Sequence, residues 1–276
     1  MARKDLRWLA SALGARVRQW TPPRHKPKDT KKLRAAQKGG TLLVPPAIPV
    51  LRAGASERSF KTFFTSEQLP AYQRGTMKFR YRGRICIKSP IDLAIYLQLL
   101  QDVRPRTLIE IGSKAGGSAL LFRDYGRMLD LQLEIVSIDI KRPKDECEGI
   151  TFLEGDVNDL QPVFEKYRLD ERPRPWLVVE DSAHTASACV AALRFFAKRL
   201  MPGEWMIMED GVLDELGLSE RYKGGPNLAI MQFFAANPGV FEVGAEYCDM
   251  FGQNATYNPN GYLQRTVAPF GAKTDE

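Results

Sequence analysis

The chain has 276 residues, 44% hydrophobic and 26% charged, which is ordinary globular usage and excludes a wholly disordered, collagen-like or disulfide-stapled polypeptide. No apolar run approaches the ~20 residues that a membrane-spanning helix needs. The net charge of +7 is lopsided: residues 1–40 carry twelve Lys/Arg against two Asp, a net of +10, and the remainder carries 28 basic against 31 acidic side chains, a net of −3. The positive field therefore comes from one terminal arm, which argues against a nucleic-acid groove spread over the folded body.

In chain order, Leu6, Leu9, Leu13, Val17 and Trp20 share one helical stripe while Arg7, Arg16 and Arg18 lie elsewhere. This basic amphipathic helix can lie in an anionic membrane interface, but docking against the protein's own body or a partner chain produces the same pattern. Prolines 22, 23, 27, 45, 46 and 49, interleaved with lysines, make roughly residues 21–55 an extended linker. Order should resume near Phe60–Phe64. Tyr81–Lys88 reads as a short irregular or extended piece, and Ser89-Pro90-Ile91-Asp92 starts a helix that runs to about Val103, where Pro105 ends it. The expected division is a basic arm and linker over 1–56, a helical cap over 57–104 and the main domain over 105–276.

From residue 106 short apolar runs alternate with helices. Strands are expected at Thr107–Ile111, Leu133–Asp139, Thr151–Leu153, Trp176–Glu180 and Trp205–Glu209, with helices at Gly117–Met128, Val157–Tyr167 and Thr185–Leu200 between them. A helix over Leu228–Ala236, a strand near Val240–Tyr247 and a last strand over Gly261–Thr266 complete the pattern. This predicts an α/β fold with a Rossmann-like, doubly wound, mostly parallel sheet and a C-terminal antiparallel hairpin. Ligands on such a sheet sit at the C-terminal strand ends.

The first βα turn, Ile111-Gly112-Ser113-Lys114-Ala115-Gly116-Gly117-Ser118, lets the backbone approach a ligand closely and presents free N–H groups at a helix start. Its spacing is not GxGxxG. Glu110, two residues before Gly112, is unfavourable beside a pyrophosphate but suits a cationic amino group. Asp139 ends the second strand, where a carboxylate accepts ribose hydroxyls, and Asp156 follows the third strand at a position suited to an adenine edge. Singly, each acidic residue reads more readily as a helix N-cap or a solvated loop residue. Together they suggest a positively charged adenosine ligand, and S-adenosylmethionine fits that description.

The next two strand ends carry Glu180-Asp181-Ser182-Ala183-His184 and Glu209-Asp210-Gly211. Neighbouring parallel strands deliver both clusters to one end of the sheet, so Asp181, Glu209 and Asp210 are candidate ligands for one hard divalent cation, Mg²⁺ for preference. The alternative is that Asp181 and Asp210 only cap the helix and the loop after them, while Glu180 and Glu209 face solvent. His184, three residues after Asp181, is a candidate general base acting with it. Tyr222, Phe251, Tyr257 and Tyr262 are candidates for an acceptor wall or for core filling. The segments Lys223-Gly-Gly-Pro-Asn227 and Gly252–Asn260 are candidates for closing loops or for ordinary connections.

The four cysteines have no metal-ribbon spacing, and the first apolar cluster is too short and broken for a signal-peptide core, so a reduced cytoplasmic protein is expected and the Asn254-Ala-Thr256 sequon carries no weight.

With these motifs in place, residues from about 80 to 266 resemble the cephalosporin hydroxylase family of class I S-adenosylmethionine-dependent methyltransferases, which includes rhamnosyl O-methyltransferases. The resemblance rests on Lys88-Ser-Pro-x-Asp92, Glu110-x-Gly112-x₃-Gly116-Gly117-Ser118, Asp181-Ser-x-His184, Glu209-Asp210 and Asn258-Pro-Asn-Gly-Tyr262-Leu263. The glycine loop is also similar to that of catechol O-methyltransferase. The resemblance implies a cofactor surrounded by Glu110, Gly112, Ser113, Gly116, Ser118, Asp139, Asp156 and Asp181. It further implies Mg²⁺ on Asp181, Glu209 and Asp210, with His184 near the acceptor hydroxyl. Besides His184 the only histidine is His25 in the linker, which leaves no 2-His-1-carboxylate iron site and favours methyl transfer over hydroxylation.

The expected reaction is O-methylation of a sugar hydroxyl in a glycoside, glycolipid or natural product. The competing readings are an NAD(P)-dependent oxidoreductase, which lacks GxGxxG and an obvious Tyr-x-x-x-Lys, and a non-catalytic cofactor-binding domain tethered to membrane by its arm. Peripheral contact with an anionic membrane through residues 1–40 and self-association are further expectations. No part of the resemblance extends to residues 1–55.

Overall fold

The computed structural model describes residues 52–53, 58–267 and 270. The expected amphipathic helix, almost all of the linker and His25 lie outside the described residues. Short runs of large aliphatic residues form the centre of the sheet: β4 (Thr107–Ile111) and β7 (Trp176–Glu180) are buried at every position, as strands covered on both faces must be. To one side of β4 lie β5 (Glu134–Asp139) and β6 (Ile150–Glu154), and beyond β7 lies β8 (Trp205–Met208), all parallel. The chain builds outward from β4 in one direction and then returns to build in the other, so β4 and β7 flank the crevice where ligands of such sheets bind.

The far side of the sheet is antiparallel. Strand β10 (Tyr262–Arg265) inserts between β8 and β9 (Phe241–Gly244), and β1 (Arg52–Ala53) pairs with β9 at the edge, giving the order β1-β9-β10-β8-β7-β4-β5-β6. Two residues of the expected linker thus serve as an edge strand. The strand expected over Val240–Tyr247 stops at Gly244, where a side chain would meet the Trp205 ring at 2.5 Å, and the chain turns into the short helix Ala245–Cys248.

Three helices on this scaffold also differ from expectation; that expected over Thr185–Leu200 forms over Ala186–Ala197. The one expected over Val157–Tyr167 forms only over Gln161–Tyr167, because the Asp156 side chain accepts from Asn158 N and an Asp156–Asp159 bridge closes a turn first. The one expected from Leu228 starts at Gly225, with Pro226 in its first turn. Its residue Asn227 is buried and donates to Gly211 O and Asp214 Oδ2, so the Lys223–Asn227 segment is a helix start and not a free loop.

Before β4 come α1 (Gln68–Thr76), the hairpin β2 (Arg80–Tyr81) and β3 (Arg84–Ile85), and α2 (Pro90–Val103). Arg82 and Gly83 turn the hairpin, both at positive φ, as a two-residue type I′ turn requires. Ser89 caps α2 by accepting from Asp92 N at 3.2 Å. The Asp92 carboxylate accepts in turn from Thr256 Oγ1, from Tyr257 N at 3.0 Å and from the Tyr262 hydroxyl at 3.0 Å, which ties α2 to the turn leading into β10.

Most of the Gly252–Asn260 segment is therefore fastened, not a mobile flap. Asn254 and Asn260 are fully buried, and Arg58 donates to Asn260 Oδ1 and pairs with Asp249. Asn254, the sequon residue, has its amide committed to Ser59 O. Cys86, Cys147, Cys189 and Cys248 are all free thiols, and among the described residues no helix is long and apolar enough to cross a membrane.

Candidate active site

The loop after β4 forms one half of a cavity of about 780 Å³, within the usual range for a small-molecule site. Gly112 stands at φ 106°, and a Cβ there would come within 2.0 Å of Asp181 O, so only glycine lets the ends of β4 and β7 approach so closely. Gly116 caps the following helix, Gly117–Met128, at φ 73° and packs on the Phe152 ring, so its role is close packing of the loop and not a place on the cavity wall. Gly112, Ser113 and Ser118 do line the cavity.

Asp139 and Asp156 line the same half. Asp139 accepts from Lys114 N at 2.8 Å through Oδ2 and from Lys141 N at 3.1 Å through Oδ1, which fixes its carboxylate against the glycine loop while leaving lone pairs for a ligand. Asp156 is oriented by Asn158, whose backbone and side-chain nitrogens both donate to its Oδ1 at 2.9 Å.

Glu110 departs from expectation. It is fully buried and does not line the cavity; it is linked to it by hydroxyls, accepting from Ser137 Oγ, which lies 2.6 Å from Ser113 Oγ. Burial raises its pKa, against the opposing pull of Lys88 and of hydrogen bonds from Ser118 and Ser137. Glu110 thus reaches the cavity wall through a Glu110–Ser137–Ser113 chain. The cause is the strand itself: Glu110 is an interior position of a strand buried on both faces.

The other half is built from the ends of β7 and β8. His184 Nε2 lies 3.6 Å from Asp181 Oδ1 and 3.4 Å from Asp210 Oδ2, and one donor atom from each of the three residues falls within 4.8 Å of the others. His184 and Asp210 both adopt left-handed backbone conformations, φ 54° and 62°. Each such residue costs roughly 1–2 kcal/mol, and non-glycine positions of this kind cluster at functional sites. Asp210 is held by a hydrogen bond from its N–H to Asn258 Oδ1 at 3.0 Å, and the His184 ring meets the Tyr222 ring edge-on at 5.8 Å.

Burial lowers the His184 pKa, but Asp210, Asp181 and Glu180 more than offset it and hold the imidazole above its usual range. Burial also raises Asp210, to about 6, against the opposing pull of His184. The two carboxylates suit a hard divalent cation such as Mg²⁺ or Mn²⁺.

Glu180 and Glu209 are buried, which removes the reading in which they face solvent. Glu180 accepts from the Ser182 hydroxyl. Glu209 is not free to join Asp181 and Asp210 as placed: its Oε1 accepts from the Tyr96 hydroxyl and its Oε2 from Lys88 Nζ at 2.7 Å. Lys88 also pairs with Asp181 Oδ2. Its ammonium, desolvated by burial, remains charged because Asp181, Glu209 and Glu110 outweigh that penalty and raise its pKa well above the usual range. The three-carboxylate set expected from the sequence is therefore divided, with Asp181 shared between Lys88 on one side and the His184–Asp210 side on the other.

Of the four candidate aromatics, Tyr222 and Tyr257 line the cavity, Tyr262 is core, and Phe251 is exposed. Gln73 and Thr76 of α1 complete the wall, so the cap segment contributes to the site. Lys88 stands in one of the sequence motifs, which gives it no role there, and Tyr96, Ser137 and the α1 residues carry no local signal that assigns them here, because each reaches the site only through packing between distant elements.

The Rhamnosyl O-methyltransferase/CmcI family model matches residues 73–266. The rhamnosyl O-methyltransferase of Mycobacterium leprae is 28% identical over 191 residues, covering 67% of this chain and 82% of that protein. That of Mycobacterium tuberculosis (strain H37Rv) is 26% identical over 194 residues, covering 68% and 78%. A solved structure of CmcI with Mg and SAM aligns with a TM-score of 0.55 at 25% identity, covering 69% of this chain and 78% of that one. An apo CmcI structure aligns at 24% identity with a TM-score of 0.54 and covers 90% and 91%, a likeness of fold. With a family match over most of its length and the strand order and cavity described above, the chain belongs to the rhamnosyl O-methyltransferase/CmcI family.

Proposed function

We propose that this chain is a metal-dependent O-methyltransferase that moves the methyl group of S-adenosylmethionine to a sugar hydroxyl. The observation that carries the reading is a single cavity with Asp139 and Asp156 on one wall and Asp181, His184 and Asp210 on the other. The named activity of the mycobacterial relatives and the Mg and SAM of the CmcI structure support it. NAD(P)-dependent oxidation and a purely tethering role find no comparable support.

In this reading Asp139 takes the ribose hydroxyls and Asp156 the adenine edge, while Ser113 and Ser118 border the methionine moiety. Asp181 and Asp210 hold the divalent cation, which when bound would stabilise negative charge developing on the acceptor oxygen. His184 Nε2 accepts the hydroxyl proton, and the two flanking carboxylates stabilise the imidazolium that results. Tyr222, Tyr257 and the α1 residues wall the acceptor and exclude water, so that oxygen and methyl meet in line.

A second assignment of His184 has an observation behind it: its donor atom lies within the same 4.8 Å group as those of Asp181 and Asp210, as a ligand would. His184→Gln separates the two. As base, turnover falls while Mn²⁺ affinity holds; as ligand, Mn²⁺ affinity falls. The function itself is tested by isothermal titration with S-adenosylmethionine and NAD, and by mass spectrometry for methylated rhamnosides with and without EDTA. NAD binding without S-adenosylmethionine binding, or full turnover in EDTA, would overturn it.

For residues 1–40 the proposed role is peripheral contact with anionic membranes, supported by their net charge of +10. Sedimentation with phosphatidylserine vesicles, with and without the arm, tests it: equal binding refutes the role. Self-association, also proposed, is read by light scattering.

A further inference from the structure

We infer that Lys88 is a tethered competitor of the divalent cation: its ammonium pairs with Asp181 and Glu209, offsets charge in the carboxylate cluster and weakens cation binding. The inference rests on the proposed cation role of Asp181 and Asp210.

The geometry is specific. Lys88 immediately precedes the Ser89 cap of α2, and that helix is anchored through Asp92 to the turn before β10, so the lysine enters the site from a fixed backbone. Its side chain is 2% exposed and that of Glu209 4%. A buried ammonium is tolerated only where carboxylates surround it, and here they are the same Asp181 and Glu209 that the sequence pattern marks for a cation. Asp181, Glu209 and Asp210 without Lys88 would bring three negative charges together at the ends of adjacent strands; Lys88 offsets one of them.

A divalent ion entering beside His184 meets Asp181 Oδ1 and Asp210 directly, but reaches Glu209 only by displacing the ammonium. Whether or not displacement occurs, a fixed positive charge on a shared ligand opposes binding, and the repulsion is large in a buried setting. Lys88 therefore offsets the mutual repulsion of the carboxylate cluster, and lowers the affinity of the cation that replaces or joins it.

The test is Lys88→Met in the full chain, with Mn²⁺ alone as the probe. Isothermal titration is expected to show Mn²⁺ binding tightened roughly ten-fold or more. Thermal unfolding is expected to show a lower midpoint than wild type without metal, and closure of that gap at saturating Mn²⁺. A midpoint deficit that is the same at every Mn²⁺ concentration, with unchanged affinity, would mean that Lys88 is only structural and overturns the inference. If Lys88→Met does not fold without metal, the comparison moves to the Glu209→Gln background, which has one fewer buried charge. Tighter Mn²⁺ binding by Lys88→Met/Glu209→Gln than by Glu209→Gln supports the inference, and equal binding overturns it. Absence of Mn²⁺ binding in every protein removes the cation site itself, and the inference with it, whereas binding unaltered by Lys88 removes the inference alone.

Discussion

Asp92 on α2 and Tyr262 on β10 lie 170 residues apart in the chain, and the tyrosine hydroxyl donates to Asp92 Oδ1 at 3.0 Å in the fully enclosed space beneath the active site. The same carboxylate accepts from Thr256 Oγ1 and Tyr257 N. One buried side chain thus registers the helix that carries Lys88 against the turn that carries Asn258 and, through it, Asp210.

Asp92→Ala leaves several buried donors unsatisfied, each worth about 1–3 kcal/mol, so a loss of about 3 kcal/mol or more is expected. Urea denaturation measures it. A midpoint within error of wild type would show that the network does not stabilise the fold.

Gly112→Ala places a methyl group 2.0 Å from Asp181 O at a φ of 106°. Neither the loop nor β7 can accept it without moving, so the variant is expected to lose more than about 1 kcal/mol of stability, with weakened S-adenosylmethionine binding as the loop is pushed from the cavity. Thermal unfolding and cofactor titration report the two effects separately, and normal values of both would contradict the close approach of β4 and β7.

Asp139→Asn keeps the shape of the side chain and removes its charge. A hydrogen bond to a charged acceptor is worth about 1.5–3 kcal/mol, so S-adenosylmethionine affinity should fall by about 10- to 100-fold with Mn²⁺ affinity preserved. Equal cofactor affinity would place the ribose elsewhere.

Asp210 gives the pH dependence. Burial raises its carboxyl from 3.8 to about 6, against the opposing effect of His184. The folded state then holds this proton more tightly than the unfolded chain does, so the group's contribution to stability is full below pH 3.8 and is lost as pH rises through about 6. Cation binding runs the other way, since it needs the carboxylate: Mn²⁺ affinity should fall as pH drops through about 6. A flat affinity profile across that range, measured by titration, would remove Asp210 from the site.

Much of the fold was legible because its signals are local. Runs such as Trp176–Glu180, the Ser89-Pro90 start of α2 and the helix Gly117–Met128 are each set by neighbouring residues. The hairpin turned by Arg82-Gly83, the two-residue β1 and the end of β9 at Gly244 were not legible, because each depends on what packs or pairs against it from a distant part of the chain.

The site divides along the same line. Chain order alone determined that Asp139, Asp156, Asp181 and Asp210 would gather at one end of the sheet, since parallel strands joined by helical crossovers all present their C-terminal ends to the same side. Only the tertiary structure decided that Glu110 would lie behind Ser137 and Ser113, and that Glu209 would face Lys88 and Tyr96 instead of standing free beside Asp210. Those pairings join residues 121 and 113 positions apart for Lys88 and Tyr96, and they are set by the need of a buried carboxylate for an opposite charge and a hydrogen-bond donor, which no local pattern encodes.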